Sequence, residues 1–279
     1  MIINKKVILL ILPLVFLFLV LSSLSTLAKI GVDSMYLSFN ISSGTSAEYN
    51  FRVYNSSDKE EKIIIRFKDC IRDLNGRTLL NDPETLENSI IPYLEIVPRS
   101  FTIPANSSQA VNIKVKIPKE VSGPHWGVVV IQTANTLKVN SESASDNSKR
   151  LEAEMSTGLG ILLTQSDPDK MESKGEVRQI TSIKSTEGDK AGYKLSILYK
   201  NTGTIYQFGT GWFELTNQQG EKVGRVNIDR FFVLPGGDII LSAFFPKELS
   251  AGKYLVLGVV DTGSQDLIAG QQLLLVKED

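Results

Sequence analysis

The chain has 279 residues, and 30 lysines and arginines stand against 31 aspartates and glutamates for a formal net charge of −1. That balance offers none of the basic stripe by which nucleic-acid binders are recognised. Cys70 is the one cysteine and His125 the one histidine. Neither a disulfide framework nor a zinc motif can be read from them, and no cofactor or metal is expected.

The chain begins with a segment that does not belong to the fold. Lys5 and Lys6 precede an apolar run from Val7 to Leu21, and Thr26-Leu27-Ala28 fits a small-residue cleavage site. Residues 1–28 therefore read as a secretory signal peptide. The run is also just long enough to stay as an N-terminal anchor. Either way the protein is expected outside the cytoplasm, periplasmic or at the cell surface, and to touch the membrane only through this segment.

Residues 29–279 are enough for two domains of ordinary size. In the first, residues 29–165, Ser34 to Asn40 alternates with Met35, Leu37 and Phe39 on one side. Ala47 to Tyr54 comes next, with Tyr49, Phe51 and Val53 on one face, and then the turn Asn55-Ser56-Ser57-Asp58. Lys62 to Ile71 is a strand with Ile63, Ile65 and Phe67 inward. Asp73-Leu74-Asn75-Gly76 supplies the positive φ angles of a hairpin turn, and lacks the further acidic ligands of a calcium loop. Asp82 to Ser89 is polar, with room for one helical turn, and Ile96 to Ile103 leads into the stretch that follows.

The stretch from Phe101 to Thr133 organises the domain. Val111, Ile113, Val115 and Ile117 alternate with Asn112, Lys114 and Lys116, the period of a half-buried strand. Pro118 stops the ladder because it has no N–H to donate. Gly123-Pro124 turns the chain, and Gly127 to Ile131 is apolar on both faces, as in the middle of a packed sandwich. Asn135 to Arg150 has almost nothing apolar to bury and reads as a long mobile loop. Leu151 to Thr164 closes the domain. Its first half carries Leu151, Ala153 and Met155 at alternate positions, beyond what one sheet needs, with Glu152 and Glu154 on the other face. These three residues are the candidate binding edge. Residues 166–175 are the linker.

In the second domain, residues 176–279, the same plan returns. Strands are expected over Glu176 to Ile183, Tyr193 to Tyr199, Trp212 to Thr216, Lys222 to Leu234, Asp238 to Phe245, Lys253 to Val260 and Leu267 to Val276. Pro118-Lys119-Glu120-Val121-Ser122 matches Pro246-Lys247-Glu248-Leu249-Ser250, and Ala47 to Ser56 matches Gly192 to Thr202. Two matched blocks in the same order indicate an internal duplication. The fold class is all-β, two tandem immunoglobulin-like antiparallel β-sandwiches.

Val259-Val260-Asp261-Thr262-Gly263-Ser264 matches the aspartic-protease pattern, but such enzymes need two carboxylates sharing a proton, and the chain has one copy. Asp261 reads as a turn residue and the protease as the remote reading. Trp126 and Trp212 read as sandwich aromatics before they read as a carbohydrate platform.

An exported chain of two such domains resembles the periplasmic chaperones of pilus assembly. In that family a long loop precedes the last strand of the first domain, as Asn135 to Arg150 precedes Leu151 to Leu163 here, and that strand is lent to a subunit. The family's paired basic anchors are missing: the first strand reads Asp33-Ser34-Met35-Tyr36-Leu37 and the closing strand has no lysine. A second resemblance covers Tyr54 to Val130. The runs YNSSDKEEKIIIRF, DLNGRTLLNDP, FTIPANSSQAVNIKVKIP and GxxWGVVV resemble cell-surface proteins that interact with WxL proteins, which bind peptidoglycan. The two resemblances imply an exported, non-enzymatic protein. It engages a pilin-like or other envelope protein through a sheet edge of domain one, or, alternatively, peptidoglycan as a wall-associated module.

Overall fold

The computed structural model describes residues 30–134, 137–140, 152–155, 158–264 and 266–277. The expected signal peptide lies outside them. Alternating sequence makes nearly every ordered segment a strand. The first sandwich uses β1 (Ile30–Val32), β2 (Tyr36–Asn40), β3 (Ser46–Asn55), β4 (Glu61–Arg72), β5 (Thr78–Asn81), β6 (Leu94–Val97), β7 (Ser100–Ile103), β8 (Ser107–Lys116), β9 (His125–Thr133), β10 (Leu137–Asn140), β11 (Glu152–Met155) and β12 (Gly158–Ser166). The second uses β13 (Gly175–Glu187), β14 (Lys190–Asn201), β15 (Gln207–Thr216), β16 (Lys222–Val233), β17 (Asp238–Phe245), β18 (Gly252–Asp261) and β19 (Ile268–Val276). The chain is thus all-β, two immunoglobulin-like sandwiches in tandem.

In the first sandwich one sheet runs β1-β3-β8-β6. The other runs β2-β12-β9-β4-β5, with β7 also on β4. The β3–β8 ladder sets Phe51 opposite Val111 and Tyr49 opposite Ile113. Val111, Ile113 and Val115 are 0 % exposed, while Lys114 reaches out to Glu48 at 2.9 Å, so the parity expected of this strand is observed. Ile63, Ile131, Ile161 and Leu163 close the core from the other sheet. Burying each such side chain is worth about 1.5–3 kcal/mol against leaving it in water.

Several expected segments differ in detail, each for a local reason. The first strand on the β12 side starts at Tyr36. Ser34 Oγ accepts from Tyr36 N at 3.2 Å and turns the chain there, leaving Met35 53 % exposed. Tyr49 shares the parity of Phe51 but lies at the open flank of the sandwich beside Phe39 and Ile41, and stays exposed. The segment Ile96 to Ile103 spans two strands, because Pro98 breaks the ladder and the chain crosses from β6, paired with β8, to β7, paired with β4. No helical turn forms in Asp82 to Ser89. Asp69 Oδ2 accepts there from Thr85 N at 2.7 Å and Leu86 N at 3.0 Å, and pins the segment as a loop. The single turn of 3₁₀ helix nearby is at Ile91–Tyr93.

The second sandwich has sheets β13-β14-β17 and β16-β15-β18-β19. Its pairings repeat those of the first. β14 on β17 corresponds to β3 on β8, β15 on β18 to β4 on β9, and β18 on β19 to β9 on β12. Tyr193, Leu195, Ile197 and Tyr199 lie in its core. Between the sandwiches, Cys70 and Val128 pack on Phe232 and Leu234, and Ile240 N donates to Leu74 O at 2.7 Å.

Candidate functional site

Strand β12 is covered unevenly. On one side its antiparallel ladder with β9 runs from Gly158↔Gln132 to Gln165↔His125. On the other, its parallel ladder with β2 runs only from Leu162↔Tyr36 to Ser166↔Asn40. Leu162 N donates to Met35 O, and Ser166 O accepts from Ile41 N, both at 3.0 Å. Alternate residues of a strand aim their N–H and C=O to the same side. Gly158 and Gly160 therefore aim theirs to the side of β2, above the point where β2 begins. Among the described residues no strand is laddered to that edge.

The residue types fit an edge that another backbone can approach. A Cβ on Gly160 would meet Val128 Cγ1 at 3.1 Å, and one on Gly158 would meet Ile131 O at 3.3 Å. Both contacts are with β9, the strand already laddered there, and both glycines leave the outward face of β12 without a side chain. Ile161 is 0 % exposed and Leu159 is half-buried against the same core. Their side chains face inward, so the edge is left to backbone groups.

The candidate residues of the sequence lie just before this edge. Ala153 and Met155 are on β11, whose backbone pairs with β10 in the register Val139↔Ala153 and Leu137↔Met155. Leu151 lies outside the described residues. The segment read as a loop thus holds a strand, Leu137–Asn140, and β11 is paired on one side. The signal was present in Leu137-Lys138-Val139, a short alternation diluted by the polar residues around it. β10 follows β9 and β11 precedes β12 in the chain, and the two form a two-stranded sheet of their own.

An apolar cleft of about 510 Å³ opens beside the edge, between the sandwiches, and no pattern in the sequence foretells it. Gly160, Leu162, Met35, Leu80 and Phe208 line it. At its rim Tyr36 meets Tyr206 edge-on at 4.7 Å and gives or takes a 2.7 Å bond with Thr164 Oγ1, and burial pushes its phenol pKa up. Arg72 lies over the Phe232 ring at 4.9 Å, with Nη1 on Thr78 Oγ1 at 3.1 Å and Nη2 on Gly76 O, and burial lowers its pKa. Its hydrogen bonds hold the turn after β4, which only a complete fold brings next to Phe232.

The other residues with a possible chemical role have structural partners. His125 is 5 % exposed, shares a 3.2 Å bond with Gln165 Oε1 and abuts the Tyr93 ring. Asp261 Oδ1 accepts from Gly263 N at 2.9 Å, a turn contact within its own loop. Trp126 Nε1 donates to Cys70 O at 3.0 Å, and Trp212 stacks under Arg225 at 4.1 Å. Among the described residues no three His, Cys, Asp or Glu side chains converge on a metal-sized site.

No family model matches the chain, and no curated protein matches it. Solved structures do align with it. The YadV chaperone aligns over 88 % of this chain and 100 % of its own, at 13 % identity and a TM-score of 0.42. A chaperone–tip subunit pre-assembly complex, CsuC–CsuE of the archaic Csu pili of Acinetobacter baumannii, aligns over 87 % and 98 %, at 11 % and 0.45. The Salmonella enterica SafA pilin with its SafB chaperone aligns over 90 % and 98 %, at 14 % and 0.40. At this identity and these TM-scores the likeness carries no argument about function.

Proposed function

We propose that the protein is an exported, non-catalytic binding or assembly protein. It engages another envelope or surface protein, pilin-like or other, by adding that partner's extended segment to the β11–β12 edge of the first sandwich. The observation that carries this reading is the uneven cover of β12, laddered to β9 from Gly158 but to β2 only from Leu162. Strand addition draws its affinity from main-chain hydrogen bonds and its selectivity from alternate side chains. Gly158 and Gly160 supply the first, with no side chain in the way, and the cleft beside Leu162 supplies room for the second.

Capture from envelope extracts tests the reading, with wild-type protein and Gly160→Pro as paired baits. Proline removes the N–H aimed at the open edge and leaves the β9 ladder intact, since that ladder uses the backbone groups of Leu159 and Ile161. A partner held by wild type and lost by Gly160→Pro, in a variant that still unfolds cooperatively with the near-UV spectrum of wild type, is the expected result. The same proteins on both baits would contradict it.

A further inference from the structure

The cleft beside the β12 edge is lined by apolar side chains that their own fold leaves half uncovered. Met35 is 53 % exposed, Leu80 51 % and Phe208 54 %. Phe208 belongs to an aromatic cluster. It stands edge-on to Tyr36 at 5.8 Å and to Tyr206 at 5.4 Å, and lies tilted on Phe232 at 4.8 Å. Large apolar groups left half exposed around one concave site mark a contact surface.

Strand β12 sets what can reach that site. Ile161 and Leu163 close the core of the first sandwich, while Gly160 and Leu162, alternating with them, line the cleft. A segment added to the open edge lies in line with β2, ahead of Met35, and sets one of its residues opposite Gly160. Directly opposite residues of paired strands present their side chains on the same face. The side chain opposite Gly160 is therefore directed to the cleft face. Gly160 presents nothing there, and Val128 Cγ1 is the first atom a Cβ on it would meet, at 3.1 Å. A gap of this kind on a pleated surface is filled best by a broad, flat side chain from the neighbouring strand, the way aromatic residues rescue glycines at sheet edges.

We infer that the partner's segment carries an aromatic residue opposite Gly160, phenylalanine, tyrosine or tryptophan, whose ring fills the cleft against Phe208 and Met35. This rests on the strand-addition reading and names the chemistry by which that edge selects its partner. The lining suits a ring better than an aliphatic chain. Aromatic pairs gain beyond the area they bury, and a methionine sulfur packs well at a ring edge. Charge agrees. Arg72 is the one charged residue of the lining, so a basic side chain finds no carboxylate there. The guanidinium already lies over Phe232, with Nη1 on Thr78 Oγ1 and Nη2 on Gly76 O, so it is engaged before an acidic side chain arrives. A ring gains from a cation at its face where an aliphatic chain does not.

Selection from a displayed library of random linear peptides on the whole exported protein tests the inference, followed by synthetic copies of the peptides that wild type holds and Gly160→Pro does not. Those peptides should share phenylalanine, tyrosine or tryptophan at one position. Replacing that residue by leucine should weaken binding to wild type roughly fivefold or more. The same replacement should weaken binding to Phe208→Ala by roughly twofold at most, because the ring it packs on is gone. Phe208 is more than half exposed, so that variant should still unfold cooperatively, and the leucine replacement read on wild type needs no protein variant. Peptides that depend on Gly160 but share no aromatic residue, or in which leucine serves as well, would overturn the inference and leave strand addition standing. A selection yielding no peptide that Gly160→Pro loses would overturn both.

Discussion

Asn55 and Asn201 hold equivalent turns in the two sandwiches. Each donates from Nδ2 to the carbonyl four residues on, Lys59 at 2.7 Å and Ile205 at 2.8 Å, and accepts at Oδ1 from the N–H two residues on, Ser57 at 3.0 Å and Gly203 at 2.9 Å. Each also reaches back to a carbonyl across the sandwich, Ile103 at 3.0 Å and Val233 at 3.4 Å. They are 1 % and 0 % exposed. Replacing either by alanine leaves several buried partners unpaired and should cost about 2–3 kcal/mol. Denaturant unfolding followed domain by domain checks this: Asn55→Ala should weaken the first transition and Asn201→Ala the second.

Register along β8 gives a second prediction. Ile113 is fully buried and Lys114 faces out to Glu48. Ile113→Ala should cost on the order of 2–4 kcal/mol, and Lys114→Ala less than about 1 kcal/mol, since an exposed ion pair contributes little. Equal shifts of the unfolding midpoint would mean that the strand is set one residue off.

Cys70 makes stability depend on alkaline pH. Burial, with the Asp69 carboxylate adding to it, pushes its thiol up to about 12. The unfolded thiol ionises near 8.5. The unfolded chain therefore binds fewer protons between those values. This group's contribution is full below about pH 8.5 and is lost as pH rises toward 12. Cys70→Ala should flatten the fall in thermal midpoint between pH 8 and 11 relative to wild type. A thiol reagent at pH 8 should label Cys70 only after unfolding.

Asp261 is a turn residue, so Asp261→Asn, which keeps an oxygen for Gly263 N, should change stability by less than about 1 kcal/mol. Acid-optimal proteolysis that this substitution abolished would contradict the non-enzymatic reading.

The strands and their inward faces could be read from alternation alone, as Val111, Ile113, Val115 and Ile117 show, because a two-residue period leaves few alternatives once one face is apolar. Exceptions arise where contacts distant in sequence decide. Nothing near Asp82 predicts that Asp69, on strand β4, will hold its loop open. Nothing near Ile161 says that the β2 ladder begins only at Leu162, since that depends on Ser34 turning the chain, a residue distant in sequence. The edge at Gly158 and Gly160 is hidden from the sequence for the same reason. Leu151, Ala153 and Met155 stand out because their side-chain pattern is visible, while the free groups belong to backbone, which sequence does not display.

Residue-resolved amide exchange across Gly158 to Leu162 tests strand addition most directly, because alternate residues on β12 face different partners. Leu159 and Ile161, bonded to β9, should exchange slowly in the free protein, as should Leu162, bonded to Met35 O. Gly158 and Gly160 should exchange fast when the protein is alone and be slowed about a hundredfold when the captured partner is bound. Protection of Gly160 in the free protein, or exchange there indifferent to the partner, would contradict the account.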